Sequence, residues 1–301
     1  MRSLQTTLVV FDSSIMDPDT FKLIRKLCAE FQLPVDIEFT CYEAYMKYFK
    51  RFFPDLETQF KQTTLESNGA TTTTTKIQQT SQLIDHVLDG VEKTSLLHVM
   101  ALISICAKYV NGFRCEKLFS SLSKYLQLNG TPYSTREIRN TEYIVFKLLG
   151  FNIKSSELYS VAIDLATQIT NRNHELAIRF DQLHDSCVQM LRFIYLYRKK
   201  FNEIFHYVEQ STYGYNGNEE FKLGAATVYA STMLINSTCG NSVLNEIVNR
   251  TYLNESLIRK LGQSGLRNVL MNKYATNIEE NAILKSSLFF CSTYPSSWLP
   301  T

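Results

Sequence analysis

No stretch of this chain approaches the run of about 18 apolar residues that a membrane-spanning helix requires, although apolar side chains make up 45% of its 301 residues. The apolar surface is therefore expected to build a core. Charge of one sign is not in excess either: 31 basic and 29 acidic residues nearly cancel, which removes the long-range field that draws a protein to nucleic acid or an anionic membrane. Paired cysteines are missing as well. Cys28, Cys41, Cys106, Cys115, Cys187, Cys239 and Cys291 are scattered, odd in number and without a C-x-x-C spacing, so buried reduced thiols fit better than a disulfide frame or a zinc site. The stretch Met1–Asp12 is too short and too polar for a signal peptide. A soluble, intracellular protein is expected, in which the N-x-[ST] triplets at Asn129, Asn236, Asn249 and Asn254 carry no glycan.

Catalytic patterns are equally scarce. His86, His98, His174, His184 and His206 form no H-E-x-x-H or other tight metal spacing. His184-Asp185-Ser186 sets triad residue types side by side, whereas a triad needs them to converge in space. Gly262-Gln-Ser-Gly265 falls short of G-x-S-x-G, and no Walker or G-x-G-x-x-G motif occurs. No enzyme, cofactor or metal is expected.

What the chain has is helical periodicity, with few alternating apolar-polar strands. The expected fold class is all-α. Helices are predicted over Pro18 to Phe31 and about Asp36 to Phe53, the second stopped by Pro54. Residues 55–93, with Thr71-Thr-Thr-Thr-Thr75, read as a flexible polar insertion in which Ile77 to Val91 could form a short amphipathic helix. Ser95 to Tyr109 lacks a polar face, as a helix surrounded by others does. Asn111-Gly112 ends it, a fourth helix covers Cys115 to Leu128, and a fifth opens on a capping box formed by Ser134 and Glu137.

The rhythm then begins again. Helices are predicted over Glu157 to Thr170, over Leu176 to Glu209 as one long or two shorter pieces, and over the small-residue-rich, nearly apolar Phe221 to Ile235. A short helix, Val243 to Arg250, and a longer one, Asn254 to Asn272 with Asn254 as its cap, follow. Two tandem five-helix bundles account for the chain: 18–153 with the insertion 55–93, and 156–273, with a tail 274–301 whose Leu288-Phe-Phe290 and Trp298 are expected to dock back onto the protein. The run Tyr197-Arg-Lys-Lys200 is too short for a nuclear signal and reads as a solvated helix face.

This order of motifs resembles the cyclin family. Cys106-Ala107-Lys108 is similar to the family's A-[AS]-K signature in its last two places. Tyr133-Ser-Thr-Arg-Glu with Glu142-Tyr-Ile-Val-Phe-Lys-Leu-Leu-Gly-Phe151 is similar to its Y-[ST]-x-x-x-[IVL]-x-x-x-E-x-x-[IVL]-L-x-x-L-x-F stretch, with Phe146 replacing a leucine. Within the family the chain looks most like the divergent meiotic proteins named for a cyclin N-terminal domain, through Phe31-Gln-Leu-Pro, Tyr42-Glu-Ala-Tyr-Met-Lys-Tyr-Phe, Ile178-Arg-Phe-Asp-Gln-Leu-His-Asp-Ser-Cys187, Phe193-Ile-Tyr-Leu-Tyr and Asn245-Glu-Ile-Val-Asn-Arg-Thr251.

The resemblance implies a regulatory subunit that binds a cyclin-dependent kinase and promotes meiotic crossover formation. It would work with meiotic recombination proteins, in the nucleus on meiotic chromosomes and also in the cytoplasm. The alternative is a kinase-independent scaffold that gathers recombination or clamp-loader proteins. Neither role expects direct nucleic-acid contact or a membrane. The resemblance also makes Lys108 and Glu142 a kinase-binding pair, flanked by apolar contacts at Phe146, Phe151 and Ile153. From spacing alone, Lys108 and Glu142 are solvated helix residues and the three apolar side chains are core. Two departures stand out. Tyr109-Val110-Asn111 follow the lysine where cell-cycle cyclins have acidic residues, and the substrate-docking patch retains only Met16, with Asp19, Thr20 and Leu23 at its other places.

Overall fold

In the computed structural model, residues 18–66, 96–110, 112, 115–128, 130, 132–177, 179–210 and 218–275 are described. Among them every regular element is helical and no strand occurs, so the all-α class holds. No helix among the described residues is long and apolar enough to cross a membrane. The chain divides into two compact units, one ending at Ser156 and the other beginning at Glu157.

The first unit opens with α1 (Pro18–Glu30), whose stripe of Phe21, Ile24, Leu27 and Cys28 is buried. Proline suits a first turn because its missing N–H would have no helical partner there. A turn through Gln32, in the left-handed region at φ 52°, leads into α2 (Val35–Glu66). The two helices meet through rings: Phe21 lies 4.9 Å from Tyr42, edge to face, and 6.2 Å from Phe39.

Helix α2 does not stop before Pro54. It continues to Glu66, so residues 55–66, expected to begin a flexible insertion, are helical. An interior proline forfeits one backbone hydrogen bond and costs about 3 kcal/mol, but good helix formers follow at Leu56, Glu57, Gln59, Lys61 and Gln62. The rest of the insertion, including the helix expected over Ile77 to Val91, lies outside the described residues, as does the tail with Trp298.

Helix α3 (96–110) is the centre of this unit: every residue from Val99 to Ala107 is buried. It ends where the Gly112 amide bonds the Lys108 carbonyl at 3.1 Å. α4 (Cys115–Leu128) and α5 (Thr135–Leu148) follow. The capping box opening α5 is formed as expected: the Ser134 hydroxyl accepts from the Glu137 amide at 3.3 Å, and the Glu137 carboxylate accepts from the Ser134 amide at 2.7 Å.

Ser156 closes the unit. Its amide donates to Thr40 Oγ1 at 3.1 Å and its hydroxyl to Glu43 Oε1 at 2.8 Å, tying the connecting segment to α2.

The second unit holds α6 (Glu157–Thr170), α7 (His174–Ala177), α8 (Phe180–Leu196), α9 (Arg198–Gln210), α10 (Glu219–Ile235), α11 (Gly240–Thr251) and α12 (Glu255–Ala275). The stretch expected as one or two helices is three, broken at Arg179 and Tyr197. The unbroken apolar rhythm hid those breaks. α10 packs on α6, α8, α11 and α12 and is buried without interruption from Lys222 to Thr232. Its small residues permit this: a Cβ at Gly224 would stand 2.7 Å from Val161 Cγ1 and 3.3 Å from the Ala162 amide. Asn254 caps α12 as expected, accepting from the Leu257 amide at 3.2 Å.

Candidate partner-docking site

Lys108 sits in the last turn of α3, where the surrounded helix reaches the rim of the first unit. Glu142 sits on the buried stripe of α5, with Ile138, Thr141 and Val145. Their side chains meet: Nζ of Lys108 lies 2.7 Å from Oε1 and 2.6 Å from Oε2 of Glu142. The glutamate side chain is 10% exposed and the lysine side chain 32%. Neither residue is therefore merely solvated. Each offsets the other's desolvation, which a lone charge at this depth could not do. An ammonium has three donors. With two engaged by the carboxylate, the partly exposed lysine retains capacity toward a partner. Nζ also lies 4.6 Å from the centre of the Phe119 ring, a cation–π contact from α4 that fixes the lysine from below.

Beside the pair lies an aromatic surface. Tyr109 and Phe146 rings are 4.9 Å apart, and Phe146 meets Phe151 edge to face at 5.2 Å. Tyr143 approaches Phe151 at 6.4 Å. Tyr109, Tyr143, Ile144 and Phe151 are each more than half exposed, while Phe146 and Ile153 are half-buried. The core reading fails for Phe151 and does not fully describe Phe146 or Ile153.

The backbone holds Phe151 out. Gly150 and Phe151 are both left-handed, at φ 69° and 55°. Glycine adopts that region freely, but an aromatic residue does so at a cost of order 1–3 kcal/mol, met only when surroundings over-determine it. Here the Phe151 amide bonds the Phe146 carbonyl at 2.9 Å, and Arg51 of α2 donates through its guanidinium to the Leu148 carbonyl at 2.8 Å.

Tyr109, Tyr143, Ile144, Phe119 and Arg51 were missed as parts of this site. One signal was present: Tyr143 and Ile144 are apolar residues off the inward stripe of an amphipathic helix. The contributions of Phe119 and Arg51 are tertiary and carry no local mark.

The remaining candidates fall elsewhere. His98 is half-buried, and desolvation lowers its pKa; its Nδ1 lies 3.3 Å from the Tyr48 hydroxyl. Among the described residues no group of three His, Cys, Asp or Glu could hold a metal. Cys28, Cys41, Cys106, Cys187 and Cys239 are buried thiols outside any disulfide; burial pushes the Cys187 thiol up to about 12, far from a reactive thiolate. Arg198 is not on a solvated face. Its side chain is 12% exposed and pairs with Glu219 at 3.1 Å. In the substrate-patch stretch, Asp19 pairs with Lys22 at 3.0 Å, and Met16 lies outside the described residues.

Compared with known proteins, the chain matches no family model, no curated protein and no solved structure.

Proposed function

We propose that this protein is a cyclin-like, non-catalytic regulatory subunit that binds a cyclin-dependent kinase and acts, in the nucleus, in forming meiotic crossovers. The observation that carries the docking half of this reading is the closed Lys108–Glu142 pair at the edge of an exposed aromatic surface. A partly accessible ion pair can offer its remaining donors and lone pairs to another chain's backbone, and aromatic side chains beside it supply apolar anchors. The crossover role rests on the sequence resemblance. The two halves are therefore separable.

Reconstitution of the full chain with a panel of cyclin-dependent kinases, followed by a phosphorylation assay, tests the proposal. Stimulation that Glu142→Ala abolishes supports it. Tight binding without stimulation would assign the chain to kinase-independent scaffolding of recombination or clamp-loader proteins, and no binding would end the kinase reading.

A further inference from the structure

One exposed stripe of α5 carries charge of a single sign. Residues three, four and seven apart share one side of a helix, and this places Arg136, Arg139, Tyr143 and Lys147 on a single outward stripe, all exposed. Lys154, also exposed, follows in the segment after the helix. No carboxylate balances them on that stripe. Both acidic residues of α5 are engaged elsewhere, Glu137 by Ser134 in the capping box and Glu142 by Lys108. Three cations on other helices find partners within a turn: Lys22 with Asp19 at 3.0 Å, Arg250 with Glu246 at 2.7 Å and Arg259 with Glu255 at 2.8 Å. Arg139 instead lies against the Phe119 ring at 5.0 Å, and no ion pair among the described residues involves Arg136, Lys147 or Lys154.

We infer that the segment docking on this face is an acidic protein segment, with apolar anchors against Tyr143, Ile144 and Phe151 and carboxylates toward Arg136, Arg139 and Lys147. This rests on the reading of the Lys108–Glu142 face as a docking site and adds the partner's chemistry. Opposite charge across such a face chiefly sets association rate and partner choice, and like charge rejects the wrong partner. Nucleic acid is the weaker fit. Its affinity comes from neutralising many phosphates, and stacking on bases needs free ring faces, whereas Phe146 and Phe151 pack edge to face on each other and the whole chain carries only +2 formal charge.

The test is a peptide-display selection against the full-length chain, using amphipathic peptides with fixed apolar anchors and free choice at the intervening positions. Recovered peptides should be net acidic. Their affinity should fall about tenfold or more in Arg139→Glu/Lys147→Glu and hold within about twofold in Arg250→Glu, a control in the second unit; far-ultraviolet circular dichroism checks that each variant is folded. Net neutral or basic peptides, or acidic peptides indifferent to the Arg139/Lys147 reversal, overturn the inference. So does a fluorescein-labelled DNA duplex that binds at physiological salt and is lost with the same reversal. Kinase association is scored separately with Glu142→Ala: its failure removes the kinase, while the peptides still decide the acidic chemistry.

Discussion

Each unit of this protein carries a lysine on its most enclosed helix, and the two lysines have opposite surroundings. Lys108 stands in the last turn of α3, one third of its side chain exposed, with both oxygens of Glu142 within 2.7 Å and aromatic rings open to solvent beside it. Lys222 stands near the start of α10, 1% exposed, with Nζ 5.4 Å from the centre of the Phe205 ring. The difference teaches that a lysine on a surrounded helix is not by itself a docking signal. What distinguishes Lys108 is its place at a rim, where its pair with Glu142 lies beside accessible apolar neighbours.

The comparison is tested most strongly at the ion pair. Glu142→Ala leaves the ammonium without its counter-charge and should weaken kinase association by about 2–5 kcal/mol. Lys108→Ala should cost a similar amount, and the double variant little more than either single one. Isothermal titration calorimetry on all four forms checks this; fully additive losses would mean that the two charges act independently. Lys222→Ala should instead cost about 2–4 kcal/mol of stability by emptying a packed site, read in urea denaturation, with affinity per folded molecule unchanged. A loss of kinase binding there would erase the contrast between the two lysines.

A smaller effect is expected at Phe151→Ala, about 1–2 kcal/mol of affinity, because this ring is an exposed anchor rather than core. If Phe151→Ala lowered the melting temperature and left affinity intact, the ring would be structural after all. The smallest effect lies at the start of α5. Hydrogen bonds from the Ser134 amide and hydroxyl hold the Glu137 carboxyl below its ordinary pKa. A depressed carboxylate adds stability above its unfolded pKa and loses it as pH falls through the folded one. Melting curves between neutral pH and about pH 3 should therefore slope less in Ser134→Ala, which keeps the amide but loses the hydroxyl, than in the parent chain; equal slopes would show that the Ser134 hydroxyl contributes nothing to acid stability.

Much of the fold was legible because its signals are local. Caps at Ser134 and Asn254, the end of α3 near Gly112 and the fully apolar stretches of α3 and α10 all follow from periodicity and turn chemistry. Pro54 misled because a proline's cost is local while a helix continues on the sum of its surroundings. The breaks at Arg179 and Tyr197 leave the apolar rhythm unbroken, so nothing in the pattern marks them. At the site, Lys108 and Glu142 were visible through family resemblance, and their contact joins residues 34 positions apart. The Phe119 ring beneath the lysine and the Arg51 clamp on α5 depend on packing that periodicity does not encode.

The central claim is that the face of the first unit bearing Lys108, Glu142 and Phe151 receives the partner. Hydrogen–deuterium exchange of the full chain, with and without a bound cyclin-dependent kinase, locates the contact directly. The account predicts slowed exchange in the last turn of α3 and from α5 through Lys154, with the amides of α10 unchanged. Protection confined to the second unit would contradict it.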